Sequence, residues 1–256
     1  MRAALVTGAA SGIGAAVALA LGRAGDGVAI AAVDRDAEAL RGTVAALDAA
    51  GVRAEGFVCD VTDAARVAAV VDEVEHRLGP VESLVNAAGV LRTGAVADFG
   101  GEDWDALFAV NVKGVFHMSR AVVRHMTARR RGAIVTVASN AAGTPRQGMA
   151  AYAASKAAAA MFTKSLGLEV AQYGIRCNVV APGSTDTPML SSMWTDRVTA
   201  RSTVEGNLET FKLGIPLGKL AQPEDIAHAV VFLLSEQAGH ITLHELTVDG
   251  GATLGR

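Results

Sequence analysis

Three residues in the second half of the chain have the types and spacing of a proton-transfer site: Ser139, Tyr152 and Lys156. Ser139 follows a β-branched run that predicts a strand, and an alanine-rich segment that stops at Gly174 predicts a helix. Tyr152 and Lys156 are four residues apart in this helix, so their side chains lie on one face. An ammonium roughly 5 Å from a phenol, at an effective dielectric constant of about 20, lowers the phenol's pKa by about two units. The pattern therefore predicts a tyrosine that exchanges protons near neutral pH.

The same spacing of Tyr and Lys also occurs in helices without a catalytic role, so the surrounding elements carry the argument. Apolar runs alternate with segments of helical periodicity, and the runs predict seven strands, at residues 3–6, 28–33, 53–58, 83–86, 133–137, 176–180 and 243–248. This alternation predicts an α/β fold with a single domain over residues 1–256. We expect a Rossmann-type, doubly wound parallel sheet of seven strands with helices on both faces. Ligands of such folds bind at the carboxyl ends of the strands, where Ser139 is expected.

Composition and charge exclude several classes of protein. The net charge is −3 and the sequence has one basic run, at residues 129–131, so we expect no basic surface that would bind nucleic acid or an acidic membrane. No apolar run reaches the roughly 18 residues that span a membrane. The first predicted strand begins at residue 3, so we expect no cleaved signal peptide. Two cysteines and six histidines show no metal or redox spacing, which predicts a reduced, cytoplasmic protein without a metal.

The first predicted strand runs into a glycine-rich loop, TGAASGIG, at residues 7–14, and a predicted helix follows. This strand–loop–helix context is typical of dinucleotide binding, although a plain strand-to-helix turn is the alternative. The glycines permit a tight turn, close approach to a pyrophosphate and close helix packing, and the helix N-terminus favours phosphates. We expect cofactor contacts from Gly8, Ser11, Gly12, Ile13 and Gly14.

An acidic residue at the end of the second predicted strand favours NAD over NADP. Asp34 lies about twenty residues beyond Gly14, where a carboxylate accepts ribose hydroxyls and repels a 2′-phosphate. Arg35 beside it could soften this preference, but the glycine loop carries Ser11 rather than a basic residue. Asp60 is placed to bond the adenine, or it shares a helix cap with Thr62.

Small residues and polar residues follow the remaining predicted strands, and a helix near residues 104–124 contains Asn111. Asn111 either kinks this helix or holds a water that extends a proton path from Lys156. Thr187 could bond a nicotinamide amide, and the weakly periodic residues 189–214 predict a substrate lid. The further cofactor contacts that we expect are Arg35, Asp60, Val61, Asn86, Ala87, Gly89, Tyr152, Lys156, Pro182, Gly183, Thr185 and Thr187.

Taken together, TGAASGIG, Asp34, NAAG, Asn111, Ser139, the Tyr152-x-x-x-Lys156 pair and PGSTDT resemble the short-chain dehydrogenase/reductase family over essentially the whole chain. The resemblance implies an oxidoreductase with a catalytic tetrad of Asn111, Ser139, Tyr152 and Lys156. It also implies a homotetramer built partly by the tetrad helix, and the small residues at 157–160 fit such an interface.

Longer stretches, such as LVNAAGVLRTG and FKLGIPLGK, resemble family members that oxidise a ring alcohol of a dihydro-aromatic acid with NAD. Two positions depart from that pattern, Asn140 where an acid is expected and Gly143 where a larger side chain is expected. Both are expected on the substrate side, and they leave open whether a hydroxyl or an amino group neighbours the reacting alcohol. The candidate substrate contacts are Arg92, Asn140, Arg146, Met149 and Met189.

Among these candidates, Arg146 lies between Ser139 and Tyr152 and is expected to bind the substrate carboxylate, since a guanidinium grips a carboxylate with two hydrogen bonds. Arg92 and Lys212 compete for this role, and a solvated loop arginine is the structural alternative. Other functions remain as alternatives: a 3-oxoacyl reductase, whose NADPH Asp34 opposes; a sugar or steroid alcohol dehydrogenase; and a non-catalytic NAD-sensing protein.

Overall fold

The structure is a computed structural model, and it describes residues 2–24, 27–195 and 198–255. Its centre is a parallel sheet of seven strands in the order β3-β2-β1-β4-β5-β6-β7. The strands are β1 (Arg2–Thr7), β2 (Val28–Asp34), β3 (Ala54–Val58), β4 (Val81–Asn86), β5 (Gly132–Val137), β6 (Ile175–Pro182) and β7 (Glu245–Val248). The predicted fold class is confirmed.

Helices cover both faces of this sheet. They are α1 (Gly12–Ala24), α2 (Ala37–Ala49), α3 (Ala64–Arg77), α4 (Gly101–Phe108), α5 (Val115–Arg129), α6 (Ala150–Val170), α7 (Pro188–Ser191), α8 (Ala200–Glu205) and α9 (Pro223–Leu234). Residues of α3, α5 and α6 pack in one hydrophobic cluster, and residues of α1, α2 and α9 pack in another. Alternate residues of β1 enter the two clusters, so both faces of the sheet are buried, which is why the strands read as continuous apolar runs.

The last strand begins later than its sequence predicts. Residues 243–248 were expected as a strand, but β7 starts at Glu245. Leu243 has a left-handed backbone with φ 61°, although its amide still donates to the Cys177 carbonyl at 2.8 Å. A left-handed residue cannot continue the extended strand, so the regular pairing with β6 starts beyond it.

The predicted helix that contains Asn111 is interrupted. A single π-helical turn, Ala109–Gly114, joins α4 to α5, and Asn111 is buried within that turn. π turns inside α-helices are rare and frequent at functional sites. At Gly114 a Cβ would lie 2.6 Å from Val61 Cγ2, so this turn packs closely against the chain that follows β3.

The predicted lid, residues 189–214, contains short elements rather than a continuous helix. It includes most of α7, all of α8, and an antiparallel bridge between Asn207 and Lys212. Residues 196 and 197 of this segment lie outside the described residues. Among the helices that the structure describes, none is long and apolar enough to cross a bilayer.

Gly14→Ala tests the close packing of the glycine loop. A Cβ on Gly14 would collide with the Gly8 carbonyl oxygen, which is backbone and cannot rotate away. We expect the free energy of unfolding, measured by urea denaturation, to fall by about 2 kcal/mol. Gly42→Ala is the matched control, because Gly42 is exposed in α2 with nothing within 4 Å of its Cβ position, and it should stabilise the protein by up to about 1 kcal/mol. Equal effects of the two substitutions would contradict the proposed packing.

Candidate active site

A cavity of about 450 Å³ lies at the carboxyl ends of the strands. It is lined by the glycine loop, the end of β2, the segment after β4, the start of α6 and the loop after β6. The predicted cofactor contacts that line it are Gly8, Ser11, Gly12, Ile13, Gly14, Asp34, Arg35, Asp60, Val61, Ala87, Gly89, Tyr152, Lys156, Pro182, Gly183, Thr185 and Thr187. Residues that are far apart in the sequence therefore meet in one elongated site.

Asn86 is the exception among those predicted contacts, because it does not line the cavity. Its buried side-chain amide donates to Ser119 Oγ at 3.1 Å and to Thr136 Oγ1 at 3.3 Å. These bonds direct the side chain toward β5 and α5 and away from the ligand space. The Asn86 side chain thus supports the end of β4, and a contact of this residue with the cofactor stays a prediction.

The glycine loop is held against the segment after β4. Gly8 has φ 69°, and a Cβ on it would lie 2.7 Å from the Ala88 nitrogen. Thr7, which the sequence argument missed, fixes this contact: the amides of Ala87 and Ala88 each donate to its hydroxyl oxygen at 3.1 Å. A residue just before a glycine loop gives no signal of its own, because the partner amides come from another strand.

The first turn of α1 leaves a cradle that fits a pyrophosphate. Gly12 has φ 52°, and a Cβ there would lie 3.2 Å from Thr187 Cγ2, so a side chain would fill the gap between the loop and α7. The helix N-terminus presents backbone amides and a partial positive charge to this gap. The residues present fit a dinucleotide.

Asp34 stands at the rim of the cavity with both carboxylate oxygens fixed. The Ala10 amide donates to Oδ2 at 3.0 Å, and the Asp36 amide donates to Oδ1 at 3.0 Å. Arg35 beside it is exposed. A carboxylate oxygen has more than one lone pair, so each can still accept a ribose hydroxyl.

Asp60 lines the cavity, where an adenine could contact it, and it also holds the turn before α3. Each of its two predicted roles, adenine binding and capping with Thr62, is therefore compatible with its position. The Thr62 amide donates to its carboxylate at 2.9 Å, and this bond holds the pKa of Asp60 below its usual value although burial opposes it. The residue that caps α3 is Asp63, whose carboxylate accepts the amides of Ala65 and Arg66.

The tyrosine and the lysine lie on successive turns of α6 and are almost completely buried, with 7% and 6% of their surfaces exposed. Ser139 lies just beyond the end of β5, and its hydroxyl is close enough to the Tyr152 phenol to lower that group's pKa. The Lys156 ammonium donates to the Val137 carbonyl at 3.0 Å and lies 6.0 Å from the centre of the Tyr152 ring. The structure therefore brings the three predicted residues together.

Burial changes the protonation expected for this pair. It raises the pKa of Tyr152 to about 12, against which the hydrogen bond with Ser139 works, and it lowers the pKa of Lys156 to about 8. The expectation that Lys156 brings the phenol close to neutral pH does not hold for the protein alone. The reason is that removal from water disfavours both charged forms, the phenolate of Tyr152 and the ammonium of Lys156, and burial is the largest cause of each pKa shift.

Asn111 lies beside this pair. The Val90 amide donates to its Oδ1 at 2.9 Å, and its Nδ2 donates to the Val90 carbonyl and to Ser155 Oγ, each at 3.0 Å. A Cβ on Gly89 would lie 3.2 Å from Lys156 Nζ and 3.3 Å from Asn111 Oδ1. Gly89 therefore leaves Asn111 and Lys156 facing one space, and a water path between them stays a prediction.

Of the candidate substrate contacts, Met149 and Met189 line the cavity with Tyr152. Arg92 does not line it: its guanidinium pairs with Asp103 at 3.1 Å in solvent and donates to the Leu91 carbonyl. Arg146 is half-buried in the loop before α6. Burial lowers its pKa, and the charge of Asp249 opposes that shift.

The two residues that depart from the pattern of the similar family members, Asn140 and Gly143, do not line the cavity that holds Tyr152. Asn140 and Gly143 line a second cavity of about 420 Å³, between α6 and β7, together with the Lys164–Glu245 ion pair. The Asn140 side chain donates to Asp249 Oδ2 at 3.2 Å, so a place of these residues on the substrate side stays a prediction.

In the part of the chain that the structure describes, no three His, Cys, Asp or Glu side chains are grouped to hold a metal ion. Cys59 and Cys177 are free, and burial raises their thiol pKa values to about 11 and about 12. Neither thiol is therefore reactive at neutral pH.

Lys156→Met tests the burial of the ammonium through the pH dependence of stability. The folded pKa of about 8 lies below the usual 10.5, so between these values the unfolded chain binds more protons and stability rises with pH. The variant lacks this rise, and its free energy of unfolding relative to the unmodified protein should fall by up to about 3 kcal/mol between pH 7 and pH 10.5. Urea denaturation across this range measures it. The exposed Lys219→Met should follow the unmodified protein, and a parallel profile for Lys156→Met would show that the ammonium is not desolvated.

Comparison with known proteins identifies the family. The sequence profile of the short chain dehydrogenase family matches residues 2–198. A 2,3-dihydro-2,3-dihydroxybenzoate dehydrogenase of Bacillus subtilis (strain 168) is 57% identical over 252 residues, which cover 98% of this chain and 96% of that protein. The protein of the same name from Escherichia coli (strain K12) is 47% identical over 254 residues, covering 98% and 96%.

Solved structures agree with the sequence relatives. A 7α-hydroxysteroid dehydrogenase, complexed with NADH and 7-oxo glycochenodeoxycholic acid, superposes with a TM-score of 0.90 at 31% identity, covering 98% of this chain and 94% of that one. The fold, the site at the strand ends and these relatives together place the chain in the short-chain dehydrogenase family of oxidoreductases.

Proposed function

We propose that this enzyme oxidises 2,3-dihydro-2,3-dihydroxybenzoate to 2,3-dihydroxybenzoate with NAD, as a step in catechol siderophore synthesis in the cytoplasm. The observation that carries the proposal is the buried Tyr152, one turn from Lys156 in α6, which lines the same cavity as Ser139 and the glycine loop. The relatives at 57% and 47% identity, which bear the name of this reaction, support the choice of substrate.

The nicotinamide of the bound cofactor supplies a hydride acceptor. Ser139 orients the substrate oxygen, and Tyr152, once ionised to the phenolate, takes the proton of the substrate hydroxyl. Lys156, when protonated, stabilises the phenolate, and Asn111 beside it extends the proton path toward solvent. These four residues form the proposed catalytic tetrad. The ring ketone that results from oxidation tautomerises to a phenol, and the aromaticity gained makes this direction strongly favourable.

The runner-up substrate is dihydro-3-hydroxyanthranilate, in which an amino group replaces the neighbouring hydroxyl. Asn140 and Gly143 were the sequence reason to consider it. Because both residues line the second cavity, they give no support to an amino substrate over a hydroxyl substrate. The hydroxyl substrate is therefore proposed.

The direct test is NADH formation from the purified protein with NAD and each of these two dihydro acids in parallel. We expect the dihydroxy acid to give the higher kcat/KM, and a higher kcat/KM for the amino-substituted dihydro acid would overturn the proposed substrate.

Tyr152→Phe should lower kcat by roughly 10²–10⁴-fold or more while NAD binding stays nearly unchanged. Tyr173→Phe is the matched control, since Tyr173 packs under Arg130 far from the cavity and should leave turnover near native. Near-native turnover of Tyr152→Phe would show that the base is another group.

The choice of NAD over NADP is proposed from Asp34. A 2′-phosphate on the adenosine would meet a carboxylate whose two oxygens are held in place by backbone amides. The two negative charges repel each other. The positive charge of Arg35 offsets this repulsion only weakly, because Arg35 is exposed and its charge is screened by solvent and salt.

Asp34→Ala should narrow the cofactor preference by weakening NAD binding and removing the repulsion. Asp34→Asn is a useful companion, because it removes the charge and keeps an oxygen to accept the Ala10 amide. The measurement is kcat/KM for NAD and for NADP with each protein. Comparable values for the two cofactors in the unmodified enzyme would contradict the role of Asp34.

We also propose a homotetramer assembled partly through α6, with residues 189–214 as the substrate lid. Exposed apolar side chains on α5 and α6 support the assembly, namely Phe116, Met161 and Leu168. Met189 at the start of the lid lines the cavity, which supports a lid over the substrate. Met149 and Arg146 are proposed as further substrate contacts.

A further inference from the structure

Two half-buried cations from different parts of the chain lie close enough to act on each other: Arg146, in the loop before α6, and Lys212, in the segment 189–214. Neither is among the residues that line the cavity itself, whereas Met149, three residues after Arg146, and Met189, at the start of the segment that holds Lys212, do line it. Neither cation has a hydrogen bond or an ion pair to another side chain among the residues that the structure describes. Half-buried cations without an anionic partner are costly, because they lose hydration and gain no charge in return. Such a pair is therefore a candidate anion site.

The position of Arg146 is set by a turn against a neighbouring loop. The Gly94 amide donates to the Gly148 carbonyl at 2.8 Å, and the Met149 amide donates to the Arg146 carbonyl at 3.3 Å. Met149, three residues further on, lines the cavity together with Tyr152. The backbone at Arg146 is thus fixed three residues before a side chain that lines the cavity.

The position of Lys212 is set by the lid. Its backbone exchanges two hydrogen bonds with Asn207, at 2.8 and 2.9 Å. Just beyond it, Ile215 packs against the turn after β7, where a Cβ on Gly250 would lie 2.7 Å from Ile215 Cγ2. Met189, at the other end of the segment, lines the cavity.

The two cations act on each other. Burial lowers the pKa of Lys212, and the positive charge of Arg146 lowers it further. The nearest anion to Arg146 is buried Asp249, but its carboxylate already accepts from Gly251 N at 2.9 Å, Thr253 Oγ1 at 2.7 Å and Asn140 Nδ2 at 3.2 Å. Two cations and one anion leave one positive charge unbalanced, which matches a single carboxylate.

We propose that Arg146 and Lys212 bind the substrate's carboxylate together, one from the loop before α6 and one from the lid. This inference rests on the proposed function, since it assigns these two residues to the acid group of that substrate. A carboxylate has two oxygens, so it can accept from a guanidinium and an ammonium at once. Its binding relieves the repulsion between the cations and holds the lid over the ring.

The experiment compares the acid with its neutral amide, in binding as well as in turnover. Calorimetry with NADH present measures Kd for 2,3-dihydroxybenzoate and for 2,3-dihydroxybenzamide, and steady-state assays measure KM and kcat for the dihydro acid. Arg146→Met should raise Kd and KM for the acid by roughly a hundredfold, and Lys212→Met by roughly tenfold, as expected for lost charged hydrogen bonds. The Kd of the amide should change little. In the double variant the acid should bind no better than the amide.

Lys212→Arg should retain most of the acid preference, because it keeps a cation at the same place. Lys219→Met, which removes an exposed lysine just beyond the lid, should bind as the unmodified protein does. If Lys212→Met weakens acid and amide equally, the lysine supports the lid and the proposal is overturned. It is equally overturned if Lys212→Met changes neither. Absence of turnover by the unmodified protein would refute the proposed function alone, because the binding comparison does not depend on catalysis.

Discussion

Desolvation of the Tyr152–Lys156 pair is the constraint around which the site is arranged. Both side chains are almost fully buried on one face of α6, so both of their charged forms are disfavoured. The lysine is held by the Val137 carbonyl, and the Ser139 hydroxyl partly offsets the effect of burial on the pKa of the tyrosine. Gly89 belongs to the same arrangement, because any side chain there would meet Lys156. A ligand that brings charge into this space therefore changes the protonation of the pair strongly.

The cavity has a rigid side and a side built from short segments. On the rigid side, Thr7 and Gly8 lock the glycine loop against the segment after β4. On the other side, the loop before α6, the turn after β7 and the segment 189–214 bring Arg146, Asp249 and Lys212 close enough to affect one another's charge. This division suits an oxidoreductase that holds a large cofactor in a fixed place and must admit and release a small-molecule substrate.

The similarity to the dehydrogenases of Bacillus subtilis and Escherichia coli can be compared with the places of the two sequence departures, Asn140 and Gly143. Asn140 and Gly143 looked like changes of substrate specificity, since they follow Ser139 directly. The structure places both in the lining of the second cavity with the Lys164–Glu245 pair, and the Asn140 amide also reaches Asp249. Residues that follow Ser139 directly in sequence therefore need not line the cavity that Ser139 lines.

The sequence by itself determined the order of strands and helices, the glycine loop, Asp34 and the Tyr152–Lys156 face. These depend on periodicity and on spacing within one element, which are local properties of the chain. Only the tertiary structure decided the partners of Asn86, the place of Asn140, the protonation of Tyr152 and the meeting of Arg146 with Lys212. Each of these depends on which strand ends and loops lie side by side and on how much water they exclude, and no local pattern encodes either quantity.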